Sequence, residues 1–164
     1  MMRNEQKNRS AFTFVEVMIA TVLIGIAVAS LIVTTGAFTH VNAAGIDLST
    51  AEFLIEEIRG LTASIDVIDP ETAEATFGVE SGETLATYDD LDDFNAKTFS
   101  PPIDINRTEL GSFAVFSQVI TVQNVSTSDL TLAAANHTTP FVKVTVQILM
   151  NNKTISRSSW IRAR

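Results

Sequence analysis

Between Glu16 and Asp47 the chain runs for thirty residues without an Asp, Glu, Lys or Arg. About 20 apolar helical residues, rising ~1.5 Å each, cross the ~30 Å hydrocarbon core of a bilayer, so this run is of membrane grade. Glu16 stands at its head as the single charge in the segment. An ionised group inside a membrane costs about 2.5–3.5 kcal/mol or more on insertion scales, and by default such a group is functional.

The 164 residues leave room for one modest domain beside that helix. Cysteine is absent, which excludes a disulfide framework, a thiolate nucleophile and a cysteine metal site. Charge is unevenly spread. Arg3, Lys7 and Arg9 against Glu5 make the leader basic, which places it on the cytoplasmic side of a membrane. Residues 47–104 hold fifteen acidic side chains against Arg59 and Lys97. Residues 141–164 hold Lys143, Lys153, Arg157, Arg162 and Arg164 and no acid. A net charge of −8 disfavours direct nucleic-acid binding. The basic tail reads as a solvated strand face, or as a surface that meets the acidic middle of a neighbouring subunit.

Three readings of the N-terminus compete. A secretory signal has an apolar core of about 7–15 residues; this run is far longer, although Val41-Asn42-Ala43 would pass as a cut site. A plain single-pass anchor fits the length and leaves Glu16 unexplained. The stretch Ala11-Phe12-Thr13-Phe14-Val15-Glu16, with its basic leader and apolar continuation, resembles the cleavage and methylation signal of type IV prepilins and pseudopilins. That resemblance implies cleavage between Ala11 and Phe12, N-methylation of Phe12, and a membrane helix that assembles into a filament. It implies that Glu16 pairs with the N-terminal amine of an adjacent subunit, which relieves an otherwise unpaired buried carboxylate and sets axial register. The residue before the cut is usually Gly in the family and is Ala11 here. Gly25 matches a glycine where the family's helix loosens; with Ala29 it also forms a small-xxx-small pair for close helix packing. Val33 stands where the family often has a proline.

Beyond Ile46 the apolar positions become periodic. Leu48, Ala51, Ile55, Ile58 and Leu61 recur at three and four, predicting an amphipathic continuation of one helix from about Phe12 to Ser64, with Asp69-Pro70 as its stop. Residues 70–112 are rich in Pro and Gly and read as loops. Residues 113–123 alternate, with Ala114, Phe116, Ile120 and Val122 on one face. Val142, Val144, Val146 and Ile148 alternate with Lys143, Thr145 and Gln147. Asn151-Asn152 reads as a two-residue hairpin turn, because asparagine tolerates positive φ. In the following strand, Ile155 and Trp160 need not share a face, which leaves room for a bulge. The fold class is α+β: a pilin-type long helix packed on a C-terminal antiparallel sheet. The divisions are leader 1–11, membrane or filament-core helix 12–46, amphipathic helix 47–69, variable loops 70–112 and sheet 113–164.

Tyr88-Asp89-Asp90-Leu91-Asp92-Asp93-Phe94 places four carboxylates within five residues. These are hard oxygen ligands of the kind Ca²⁺ takes, so Asp89, Asp90, Asp92 and Asp93 are weak calcium candidates; a solvated acidic loop is the first expectation. Similar segments occur in minor pilins of the mannose-sensitive haemagglutinin type, the D subunit family. His40 and His137 lack visible partners, and no catalytic or phosphate-binding motif is present, so no enzyme activity and no obligatory cofactor are expected. Four Asn-x-Ser/Thr triplets, at Asn106, Asn124, Asn136 and Asn152, read as incidental.

The resemblance therefore implies a minor pilin or pseudopilin, single-pass in a bacterial inner membrane with its C-terminal domain in the periplasm. It serves a type IV pilus or a type II secretion pseudopilus. Its partners are a prepilin peptidase, other pilins, and the assembly platform with its ATPase. The rival is a membrane-anchored periplasmic binding domain or adhesin that never polymerises.

Overall fold

The computed structural model describes residues 12–68 and 77–164. Two compact units result, Met1–Ala44 and Gly45–Arg164, and helix α1 (Phe14–Ala63) contributes to both.

In the first unit α1 is apolar all round. Phe14, Met18, Val22, Leu23, Leu31, Ile32 and Val33 are all more than half exposed. A helix with no polar face belongs in lipid or among other apolar helices, and this one is long and apolar enough to cross a membrane. Its hydroxyls are internally satisfied. Thr21, Ser30, Thr34, Thr35 and Thr39 each donate to a carbonyl three or four residues back, at 2.7–3.0 Å. In hydrocarbon, where water cannot serve, that back-bonding removes the penalty of a bare hydroxyl. The helix is unbroken through Gly25 and Val33.

In the second unit four antiparallel strands stand in the order β1 (Thr98–Phe99), β2 (Phe116–Asn124), β3 (Phe141–Met150) and β4 (Lys153–Ala163). Cross-strand pairing puts Ile120 beside Val146 and Val122 beside Val144, so one sheet face is apolar and buried. Against it pack Ala51, Leu54, Ile55, Ile58, Leu61 and Thr62 of α1. The expected stripe shifts slightly. Leu48 shares the face but is 49% exposed, because packing begins one turn later, and Leu54 joins the core instead.

The hairpin between β3 and β4 turns on Asn151 and Asn152, both with positive φ (52° and 62°), as a tight primed turn requires. Pairing jumps from Ile148–Ser156 to Leu149–Thr154, leaving Ile155 as the extra residue of a bulge. The inward row of β4 is polar, and α1 answers it. Ser156 donates to Glu52 at 2.6 Å, Arg59 donates to Ser158 at 3.0 Å, and the Arg59 guanidinium lies 4.8 Å from the Trp160 ring centre. Arg162 donates to the carbonyls of Thr62 and Ile65. The last turn of α1 has no basic residue of its own, so Arg162 supplies the cation that favours a helix C-terminus.

Two boundaries differ from expectation. The strand predicted from 113 begins at Phe116, because residues 111–113 close a 3₁₀ turn and leave Ala114 exposed. The helix ends at Ala63, where Ser64 bonds back to Leu61; Asp69-Pro70 lies outside the described residues. The predicted loop region also holds the short β1 and a 3₁₀ turn, Asp92–Phe94.

Candidate functional site

The N-terminal site is built from Phe12, Thr13 and Glu16; Ala11 lies outside the described residues. Phe12 is exposed, and α1 starts at Phe14. Thr13 therefore occupies the N-cap. The Glu16 amide donates to Thr13 Oγ1 at 3.3 Å, and the Thr13 amide donates to Glu16 Oε2 at 3.4 Å. This reciprocal pair is a capping box, formed because Thr-x-x-Glu sets the hydroxyl and carboxylate one turn apart. The carboxylate is thus held beside the backbone at residues 12 and 13, near the place where a cut after Ala11 would create an amine. A Cβ added at Gly25 would meet nothing within 4 Å, so the small size of this residue serves no contact among the described residues.

The second site corrects an expectation. The acidic run is not a solvated loop: Asp90, Asp92 and Asp93 are 0%, 2% and 0% exposed. Tyr88, Leu91 and Phe94 recur every third residue, the period of a 3₁₀ turn, and all three are buried. Folding them inward carries the intervening carboxylates with them. Asp90 Oδ1 accepts the amides of Asp92 and Asp93 at 2.9 and 3.2 Å, while Asp93 Oδ2 accepts that of Asp89 at 3.1 Å. Asp92 accepts the Gly78 amide at 2.8 Å and meets His137 Nε2 at 2.9 Å.

Glu80 and Glu83 come from the preceding loop, and their carboxylates gather with Asp93; Asp90, Asp92 and Asp93 form a second group, with oxygens within 4.8 Å of one another in each. Asp89 belongs to neither group and is half-buried. Glu80, Glu83 and the His137 contact carry no local sequence signal, since 45 positions separate Asp92 from His137.

Burial and the neighbouring Asp92 push the Asp90 carboxyl up to about 7. Burial and the shared bond with Glu83 raise Asp93 to about 6 and Glu80 to about 7. Carboxylic acids ordinarily titrate near ~4, so the folded protein holds these protons more tightly than the unfolded chain. Their stabilising contribution is complete below about pH 4 and is lost as pH rises towards about 7. In metal-free buffer the urea midpoint is expected to fall between pH 5 and pH 7.5. A rising midpoint would show that Glu80, Asp90 and Asp93, facing Glu83, Asp92 and His137, ionise without cost.

Comparison with known protein families matches residues 6–32 to the prokaryotic N-terminal methylation motif. No curated protein and no solved structure matches the chain. The motif marks a pilin-like protein processed by prepilin peptidase, and the long apolar helix fits a membrane anchor. That motif stands at the head of a long helix whose second half packs on a four-stranded antiparallel sheet, an α+β architecture that matches the pilin fold.

Proposed function

We propose that this protein is a minor pilin or pseudopilin subunit, cut between Ala11 and Phe12, methylated on Phe12, and assembled into a type IV pilus or a type II secretion pseudopilus. The observation that carries this reading is the placement of Glu16 inside the matched methylation motif, a carboxylate that caps a helix whose next thirty residues carry no charge. Before assembly the helix holds the subunit in the inner membrane, with the Gly45–Arg164 unit on the periplasmic side. In the filament the same apolar surface packs against the helices of neighbouring subunits. The Glu16 carboxylate then pairs with the Phe12 amine of an adjacent copy, which offsets the desolvation of both charges. The work is mechanical and needs no catalytic group. Its partners are the prepilin peptidase, other pilins or pseudopilins, and the assembly platform with its ATPase.

The chain has no native cysteine, so cysteines introduced within residues 12–31 report on neighbours without background. Oxidative crosslinking in cells carrying the assembly machinery should give a ladder of subunits joined through this helix. Mass spectrometry should find a mature N-terminus at methylated Phe12. A protein that stays monomeric in the crosslinking assay, or begins at Met1 or Ala44, would instead be a non-polymerising anchored domain or a cleaved secretory product.

A further inference from the structure

We propose that the buried cluster of Glu80, Glu83, Asp90, Asp92 and Asp93 is a binding site for a divalent, oxygen-preferring cation of the calcium type. This inference concerns the Gly45–Arg164 unit and does not depend on filament assembly.

The first support is a set of oxygens that no amide or hydroxyl reaches. Asp90 Oδ2, Asp93 Oδ1 and Glu80 Oε1 are buried and accept no hydrogen bond from an N–H or hydroxyl donor among the described residues. Each aspartate spends its other oxygen on backbone amides of its own turn. An asparagine would make those amide bonds with no charge to bury, so local capping does not account for the carboxylates. Burying an anion with one face bare is costly unless a cation completes it.

The second support is that, among the described residues, no lysine or arginine is paired with these carboxylates. The Arg107 guanidinium is committed to the carbonyls of Leu85, Ala86 and Tyr88. Lys97 lies over the Tyr88 ring, 5.5 Å from its centre. Among the described residues, the ion pairs are Arg59 with Glu56 and His137 with Asp92. His137 can neutralise one carboxylate of five at most.

The third support is spacing and donor type. Calcium–oxygen bonds of about 2.4 Å put opposite ligands of one ion about 4.8 Å apart. Both carboxylate groups, Glu80–Glu83–Asp93 and Asp90–Asp92–Asp93, meet that limit, and they share Asp93. Every ligand is a hard carboxylate oxygen and none is a thiolate or imidazole, which selects against zinc and copper. An irregular crowd of carboxylates suits the flexible, high-coordination shell of calcium better than the strict octahedron of magnesium. The ion would tie the loop at residues 77–83 to the 3₁₀ turn at Asp92–Phe94, two segments otherwise linked by the Gly78–Asp92 bond.

The test uses the full chain in detergent after chelator treatment, with CaCl₂ and MgCl₂ as the probes. Calorimetric titration at pH 7.5 should show saturable calcium binding, and saturating calcium should raise the melting temperature by about 5 °C or more, with magnesium giving less. Asp93→Asn should abolish both effects. Without calcium that variant should melt at or above the parent, since it keeps an acceptor for the Asp89 amide and removes a like charge. Absence of binding heat and of a thermal shift at millimolar calcium overturns the proposal. So does an undiminished shift in Asp93→Asn, which would place the ion on the exposed acids elsewhere.

Discussion

Glu16→Gln is expected to enter the membrane and be processed like the parent chain, yet to reach the filament at least tenfold less often. Glutamine at the third helical position still closes a capping box with Thr13, so the start of α1 is retained while the charge is lost. A tenfold deficit corresponds to about 1.4 kcal/mol, a lower bound that the ~3–5 kcal/mol cost of removing one partner of a desolvated charge pair exceeds. Thr13→Ala makes the opposite change: it keeps the carboxylate and removes the N-cap hydroxyl, at about 1 kcal/mol. Comparing sheared filament fractions of the two variants with their membrane pools separates charge from capping. If Glu16→Gln assembles normally while Thr13→Ala does not, the carboxylate acts through helix geometry and the amine-pairing role fails.

Phe94→Ala should destabilise the Gly45–Arg164 unit by about 3–5 kcal/mol, a large share of the ~5–15 kcal/mol that holds a domain together. The ring is fully buried, packs edge-on to Tyr88 at 5.2 Å and lies 6.4 Å from Phe99. Its loss leaves a cavity beneath the turn that carries Asp92 and Asp93. Trp160 is the single tryptophan and lies on the sheet, so its fluorescence in a urea titration follows unfolding of this unit. Phe94→Leu, which keeps most of the volume, should cost about 1.5 kcal/mol or less. A loss under about 1 kcal/mol for the alanine variant would mean that the turn repacks without its anchor.

The parts legible in the sequence are those governed by short-range periodicity. The uncharged run after Glu16, the strict alternation of Val142, Val144, Val146 and Ile148, and the Asn151-Asn152 turn each carry their own geometry. The Thr13-x-x-Glu16 spacing is equally visible, although a charge at the head of a membrane segment points to electrostatics before capping. The carboxylate cluster is harder to see. A dense acidic run reads as solvated until Tyr88, Leu91 and Phe94 find the core and turn the aspartates inward. Glu80, Glu83 and His137 join them through tertiary contacts that no local pattern announces. The two-residue strand β1 is too short to show a period at all.

The polar row along β4 has a mechanical meaning. An apolar helix stripe on an apolar sheet tolerates sliding by a turn, since one aliphatic contact replaces another. Glu52 on Ser156, Arg59 on Ser158, and Arg162 on the end of the helix admit a single alignment. A slip by one turn would break all of these bonds at once. Tension applied along the helix axis would therefore load the three attachments together, in shear, and the domain would resist creep until they yield as a set.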